Sequence, residues 1–194
     1  MGISGLKEGT SKMRNKKVLW VTETAVMLAL LVALQAVTKP MGQLVTGSFV
    51  NTVLAITALV AGLSGGITVA VISPILAYLL GIAPQILTVP AIMVGNSVFV
   101  IALHYIAGND GKQYLRQIIA WLSAAIAKFV TLYAIVAWVI CGLLAESLMA
   151  SGMLKKPMLT ALPATFSWPQ LFTALIGGGV ALLIAPVLRK ALKK

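Results

Sequence analysis

The stretch VLWVTETAVMLALLVALQAVT, residues 18–38, carries one charged side chain, Glu23, near its start. A bilayer core of about 30 Å takes roughly 20 apolar residues when they rise as a helix. The stretch is therefore read as a membrane-spanning helix. Its composition is that of the whole chain, which has 60% hydrophobic and 10% charged residues over 194 positions. Such a chain lacks the polar surface that would wet a soluble core, so the bilayer must be its solvent.

Five more apolar stretches follow, at about 43–63, 66–80, 85–107, 115–147 and 168–188. Ser64, Gly65 and Gly66 read as the tight turn between the second and third, which makes them an antiparallel pair. The third is short and holds Pro74, so an intact helix and a broken or tilted one are both compatible with it. Pro84 and Pro90 bracket the start of the fourth, and Gly108, Asn109, Asp110 and Gly111 end it. Residues 149–167 read as a polar, Pro-containing connection. The expected fold is an all-α integral membrane protein, a bundle of six transmembrane helices at residues 18–190 behind a basic tail at 1–17.

Orientation follows from the positive charges. Lys7, Lys12, Arg14, Lys16 and Lys17 in the tail, Lys112 and Arg116 after the fourth span, and Arg189, Lys190, Lys193 and Lys194 at the end share one side. Lys39, Lys155 and Lys156 fall on the other, and Lys128 lies within the fifth span. The positive-inside rule places both termini in the cytoplasm, as an even number of spans also requires. The same charges are scattered over helix ends without interleaved aromatics, which argues against nucleic acid as a partner despite the net charge of +11. The first span has no good small-x-small cleavage site at its end and reads as retained in the mature protein. Cys141 is the single cysteine, so neither an intrachain disulfide nor a cysteine metal site is expected.

Several chemistries are missing. No G-x-x-x-x-G-K-[ST] phosphate cradle occurs, so any ATP-driven step belongs to another chain. Glu23, Asp110 and Glu146 fall at helix ends and Glu8 in the tail, which leaves no mid-membrane carboxylate for ion coupling. No internal repeat is evident. A stand-alone channel or secondary carrier is thereby disfavoured but kept as an alternative. Gly62-Leu63-Ser64-Gly65 matches the G-x-S-G of rhomboid-type intramembrane serine proteases, and His104 lies two spans later as a base. The plainer reading is a turn serine and an interfacial histidine. No catalytic residue, cofactor or metal is expected.

Ala25, Ala29 and Ala33 recur at every fourth position of the first span, lining small side chains along one face where another helix can approach closely. Gly177, Gly178, Gly179, Ala181 and Ala185 give the last span a similar smooth surface, read as internal packing. With its basic tail, this A-x-x-x-A-x-x-x-A helix, the Gly-rich junction Ala61-Gly62-Leu63-Ser64-Gly65-Gly66, six spans and a basic end, the chain resembles over nearly its full length the substrate-binding (S) component of energy-coupling-factor (ECF) transporters. The resemblance implies a prokaryotic plasma-membrane subunit for vitamin or micronutrient uptake. It also implies that Ala25, Ala29 and Ala33 dock on a transmembrane coupling subunit joined to two ATPase subunits. It does not extend to a named substrate, and no ligand residues are carried over.

A ligand site must then be argued from the residues. With the termini inside, the outer halves of the spans hold Gln35, Lys39, Gln43, Thr46, Ser48, Asn51, Gln85, Tyr133, Trp138 and Gln170, with Asn96 and Lys128 nearer the middle. Lys128 lies about ten residues into its span, roughly 15 Å deep. An unpaired ammonium there costs on the order of 2.5–3.5 kcal/mol. A ligand carboxylate or phosphate would complete the pair; snorkelling, or hydrogen bonds to Asn96 and backbone carbonyls, would serve as well. Asn51 and Asn96 suit an amide-bearing or heteroaromatic ligand, and equally suit interhelical hydrogen bonding. Tyr133 and Trp138 are placed either to stack on a ligand ring or to anchor at the interface.

Overall fold

The apolar stretches become helices because a backbone in hydrocarbon must satisfy every N–H and C=O within its own segment. The computed structural model describes residues 3–82, 85–108 and 114–192, with side chains from residue 16 onward. Pro84, Asn109, Asp110, Gly111, Lys112, Lys193 and Lys194, and the side chains of Lys7, Lys12 and Arg14, lie outside them. Six helices among the described residues are long and apolar enough to span a membrane: Lys16–Met41, Gln43–Val60, Gly62–Leu79, Ile86–Ala107, Tyr114–Leu143 and Met158–Ala191. The expected all-α six-helix architecture is present.

Helix α1 covers Ile3–Thr38, so helical backbone continues back through the basic tail. A turn at Lys39–Met41 leads into α2, Gln43–Val60, which is followed by α3, Gly62–Leu79. The turn between these two lies at Ala61 and Gly62, earlier than the Ser64–Gly66 expected. Gly62 has φ +82, a conformation open to glycine at no Cβ penalty. Gly66 instead serves packing inside α3, where an added Cβ would stand 2.6 Å from Val100 Cγ1. Pro74 is buried within an unbroken α3.

Helix α4 is Val89–Ala107 and α5 is Tyr114–Tyr133. The fifth span goes on as a π-helix over Ala134–Leu143, where the Leu144 N–H reaches back to Val139 O at 2.9 Å. It ends short of the expected Ser147, because the chain then turns into a separate short helix α6, Ala145–Ala150. The supposedly polar connection contains an unforeseen helix α7, Met158–Thr165. Helix α8, Trp168–Ala191, closes the bundle.

Helix α2 is the centre, packing on α8, α1, α3 and α4, and it is buried without interruption from Asn51 to Ala58. A helix buried on all faces needs small neighbours. Gly177 of α8 supplies one: a Cβ there would lie 2.5 Å from Ser48 O and 2.6 Å from Asn51 Cβ. Gly178 makes room for Trp121 of α5, whose Nε1 donates to Leu175 O at 2.9 Å. Arg189 donates from Nε and Nη2 to Leu59 O at 2.9 and 2.6 Å, satisfying a carbonyl in the last turn of α2. Arg116 Nε does the same for Ile106 O at the end of α4. Val26, Leu30, Ile119, Ile126, Val130, Leu183 and Val187 are exposed apolar side chains on the outside of the bundle, as lipid contact requires.

Candidate functional site

A cavity of about 330 Å³ lies toward the end of the bundle away from the termini. Its walls come from α1 (Gln35), the following turn (Lys39), α2 (Gln43, Thr46, Asn51), α4 (Asn96) and α5 (Lys128). Met158, Leu162, Thr165 and Phe166, on and just after α7, close another side, and Gln170 of α8 completes it. The cavity runs from exposed Lys39 and Gln43 to deeply buried Lys128, which is 3% exposed.

Lys128 is not left bare. Its Nζ donates to Asn51 Oδ1 at 2.6 Å and to Asn96 Oδ1 at 2.7 Å, and stands 5.6 Å from the centroid of the Phe99 ring. An ammonium only donates, so the atoms facing it are necessarily the amide oxygens. The Asn51 amide nitrogen then donates to Gly47 O at 2.9 Å and Thr173 Oγ1 at 3.2 Å, and the Thr173 hydroxyl donates to Gln170 O at 3.0 Å. Three helices, α2, α4 and α5, are thus joined by one buried cation. Of the alternatives open for Lys128, hydrogen bonding to Asn96 is present, and Asn51 joins it.

At the opposite end of the cavity, Lys39 donates to Gly81 O at 2.5 Å, holding the turn after α1 on the end of α3. Thr46 Oγ1 donates to Thr38 O at 2.8 Å across the same turn. Gln35 and Gln85 each keep a buried Oε1 with no hydrogen-bond partner among the described residues.

The structure brings Lys128, Asn96, Asn51, Gln35, Lys39 and Gln43 to this one cavity. Tyr133 and Trp138 stand apart from its lining. Tyr133 stacks against Phe129 with centroids 6.1 Å apart, and Trp138, 69% exposed, points out from the π-helical segment. The wall formed by α7 was not anticipated. The signal was present: Leu154, Met158, Leu162 and Phe166 recur at every fourth position, and Leu154, Leu162 and Phe166 are buried against Leu132, Val136 and Ile140.

Away from the cavity, Ala25, Ala29 and Ala33 are exposed together on the free face of α1. Ser64 Oγ accepts a hydrogen bond from Trp20 Nε1 at 3.0 Å, and the His104 ring packs edge-on against Tyr105. No hydrogen bond joins Ser64 to His104 among the described residues. The described residues hold no group of three or more His, Cys, Asp or Glu placed to bind a metal ion.

No curated protein and no solved structure matches the chain. Residues 23–189, which begin within the first membrane helix, end within the last and include every residue of the described cavity lining, match the family model of the ECF transporter, substrate-specific component. The chain belongs to that family, and is a multi-pass membrane subunit that binds a transported substrate.

Proposed function

We propose that this subunit captures a vitamin or related micronutrient outside a prokaryotic cell and releases it inside, powered by a transmembrane coupling subunit with two ATPase subunits. The observation that carries the reading is the cavity around Lys128, Asn51 and Asn96, a polar site held within a helical bundle that has the composition of a membrane domain. Gln35, Lys39 and Gln43 line the same space and are assigned with those three to substrate binding. Tyr133 and Trp138 are left out of the assignment because they lie off the lining. The charge distribution supports an orientation with both termini in the cytoplasm, which makes the Lys39 end the extracellular mouth.

The exposed Ala25, Ala29 and Ala33 face is assigned to the coupling subunit. Three small residues one turn apart let a partner helix come close. The chain has no phosphate cradle of its own, in keeping with a separate ATPase. Vesicles containing the chain with its coupling and ATPase subunits should accumulate a micronutrient when ATP is inside the cytoplasmic face. Vesicles containing the chain alone should bind it without accumulating it. Accumulation by the chain alone would overturn the reading in favour of a self-sufficient carrier.

A further inference from the structure

Taking the cavity as the substrate site, we infer that its substrate is a compact monoanion seated carboxylate-first on Lys128 and Asn96, with N–H or O–H donors of its body turned toward Gln35 and Gln85. An ammonium has three protons, and two are given to Asn51 Oδ1 and Asn96 Oδ1. Both protons of the Asn51 amide are spent on Gly47 O and Thr173 Oγ1. Asn96 is only 2% exposed and lines the cavity, and the hydrogen bond described for its side chain is the one its Oδ1 accepts from Lys128, which leaves its amide protons to a ligand. What remains at the deep end is therefore a set of donors: one proton of Lys128 and the amide protons of Asn96. An atom seated there must accept.

Charge narrows the class further. Among the described residues the cavity lining contains no Asp or Glu, and both oxygens that hold Lys128 belong to neutral amides, so the ammonium charge stays uncompensated. A single negative charge balances it. A dianion such as a phosphate would leave surplus negative charge buried, which a low-dielectric site penalises. Lys39 makes a much weaker demand for an anion, because it is exposed at the rim, where water and salt screen its charge. Toward the rim, Gln35 and Gln85 hold unpartnered carbonyl oxygens, which match donors on the body of the ligand. The volume of about 330 Å³ suits a compact molecule.

Three matched probes test the inference on the detergent-purified chain: N-acetyl-β-alanine, its primary amide, and the corresponding N-acetyl-aminoethylphosphonate. Titrations followed by thermal unfolding should show the carboxylate binding roughly 10- to 100-fold more tightly than either analogue, the value of a charge-assisted hydrogen bond. Lys128→Met should bring acid and amide to within about threefold of each other, because the charge-assisted bond is gone. Asn96→Asp should do the same by supplying an internal carboxylate, and since it keeps Lys128 paired it remains readable if Lys128→Met does not fold. No preference for the carboxylate, no binding of any probe, or a preference that survives Asn96→Asp would each overturn the monoanion seat. Failure of the broader reading looks different. A neutral or cationic molecule retained one per chain in native mass spectrometry would keep substrate binding and reject only the anion, whereas no retained molecule together with no module-dependent uptake would reject substrate binding itself.

Discussion

The Lys128 ammonium donates to Asn96 Oδ1 at 2.7 Å, so the middle of α5 is tied to α4 by a cation whose partners are amides rather than carboxylates. Asn51 provides the second bond from α2. Replacing Asn51 by Leu removes that acceptor and also frees Gly47 O and Thr173 Oγ1. Thermal unfolding should show a loss of about 1–3 kcal/mol, the cost of leaving a buried polar group unmatched. Combined with Lys128→Met, the loss should fall below the sum of the two single changes, because the cation that needed Asn51 is gone. Strict additivity would show that the two residues act separately.

Helices α2 and α8 can lie together because residue 177 has no side chain. Gly177→Ala forces a Cβ to within 2.5 Å of Ser48 O and 2.6 Å of Asn51 Cβ. It should destabilise the bundle by about 1–3 kcal/mol through overpacking, and weaken ligand binding by shifting Asn51. Gly179→Ala faces Trp121 Cζ2 at 3.2 Å and should cost clearly less. Equal midpoints for the two variants would contradict the packing described.

Helix α7 closes the cavity by burying Leu162 and Phe166 against Leu132, Val136 and Ile140. Phe166→Ala should cost about 3–5 kcal/mol as a buried aromatic deletion, less if the neighbours relax into the space. Its more telling effect is on rates: ligand dissociation measured by stopped flow should quicken more than association slows, because the wall is loosened rather than removed. A dissociation rate matching that of the original protein would take α7 out of ligand retention.

Ala29→Trp and Ala33→Trp place bulk on an exposed face of α1. Ligand affinity and unfolding midpoint should stay close to those of the unmodified chain. Co-purification of the coupling subunit should be lost, together with uptake. Loss of folding would instead show that this face is packed in the free subunit.

Ser64→Ala deletes the acceptor of the Trp20 indole and nothing else assigned to function. It should lower stability by about 0.5–1.5 kcal/mol and leave substrate uptake unchanged. Loss of a proteolytic activity in this variant would revive the Ser64 and His104 alternative.

The spans and their number were legible because a bilayer imposes length and apolarity on each one, and residues 18–38 or 85–107 meet both demands in plain view. The family was legible through the spacing of Ala25, Ala29 and Ala33 together with the six spans. The turn between α2 and α3 was misplaced because Gly65 and Gly66 look like turn residues, whereas their lack of side chains serves close approach to α1, α2 and α4. Helix α7 was masked by Pro157 and Pro163, though the four-residue spacing from Leu154 to Phe166 marks it. In the site, depth pointed to Lys128 and Asn96. No local pattern distinguishes an aromatic that lines a cavity from one that faces lipid, which is why Tyr133 and Trp138 were grouped with residues they do not meet.

Helix α1 carries Ala33 on its exposed face and, two positions later, Gln35 on the cavity wall, while the Thr38 carbonyl at its end accepts from Thr46 of α2. One rigid rod thus belongs to two surfaces. Any partner seated on the alanine face that displaces the rod alters the cavity by the same movement, so docking and occupancy draw on a common free energy. Linkage then demands reciprocity: whatever factor the partner imposes on ligand affinity, the ligand imposes on partner affinity. A factor other than one would make the loaded subunit held with a different strength from the empty one.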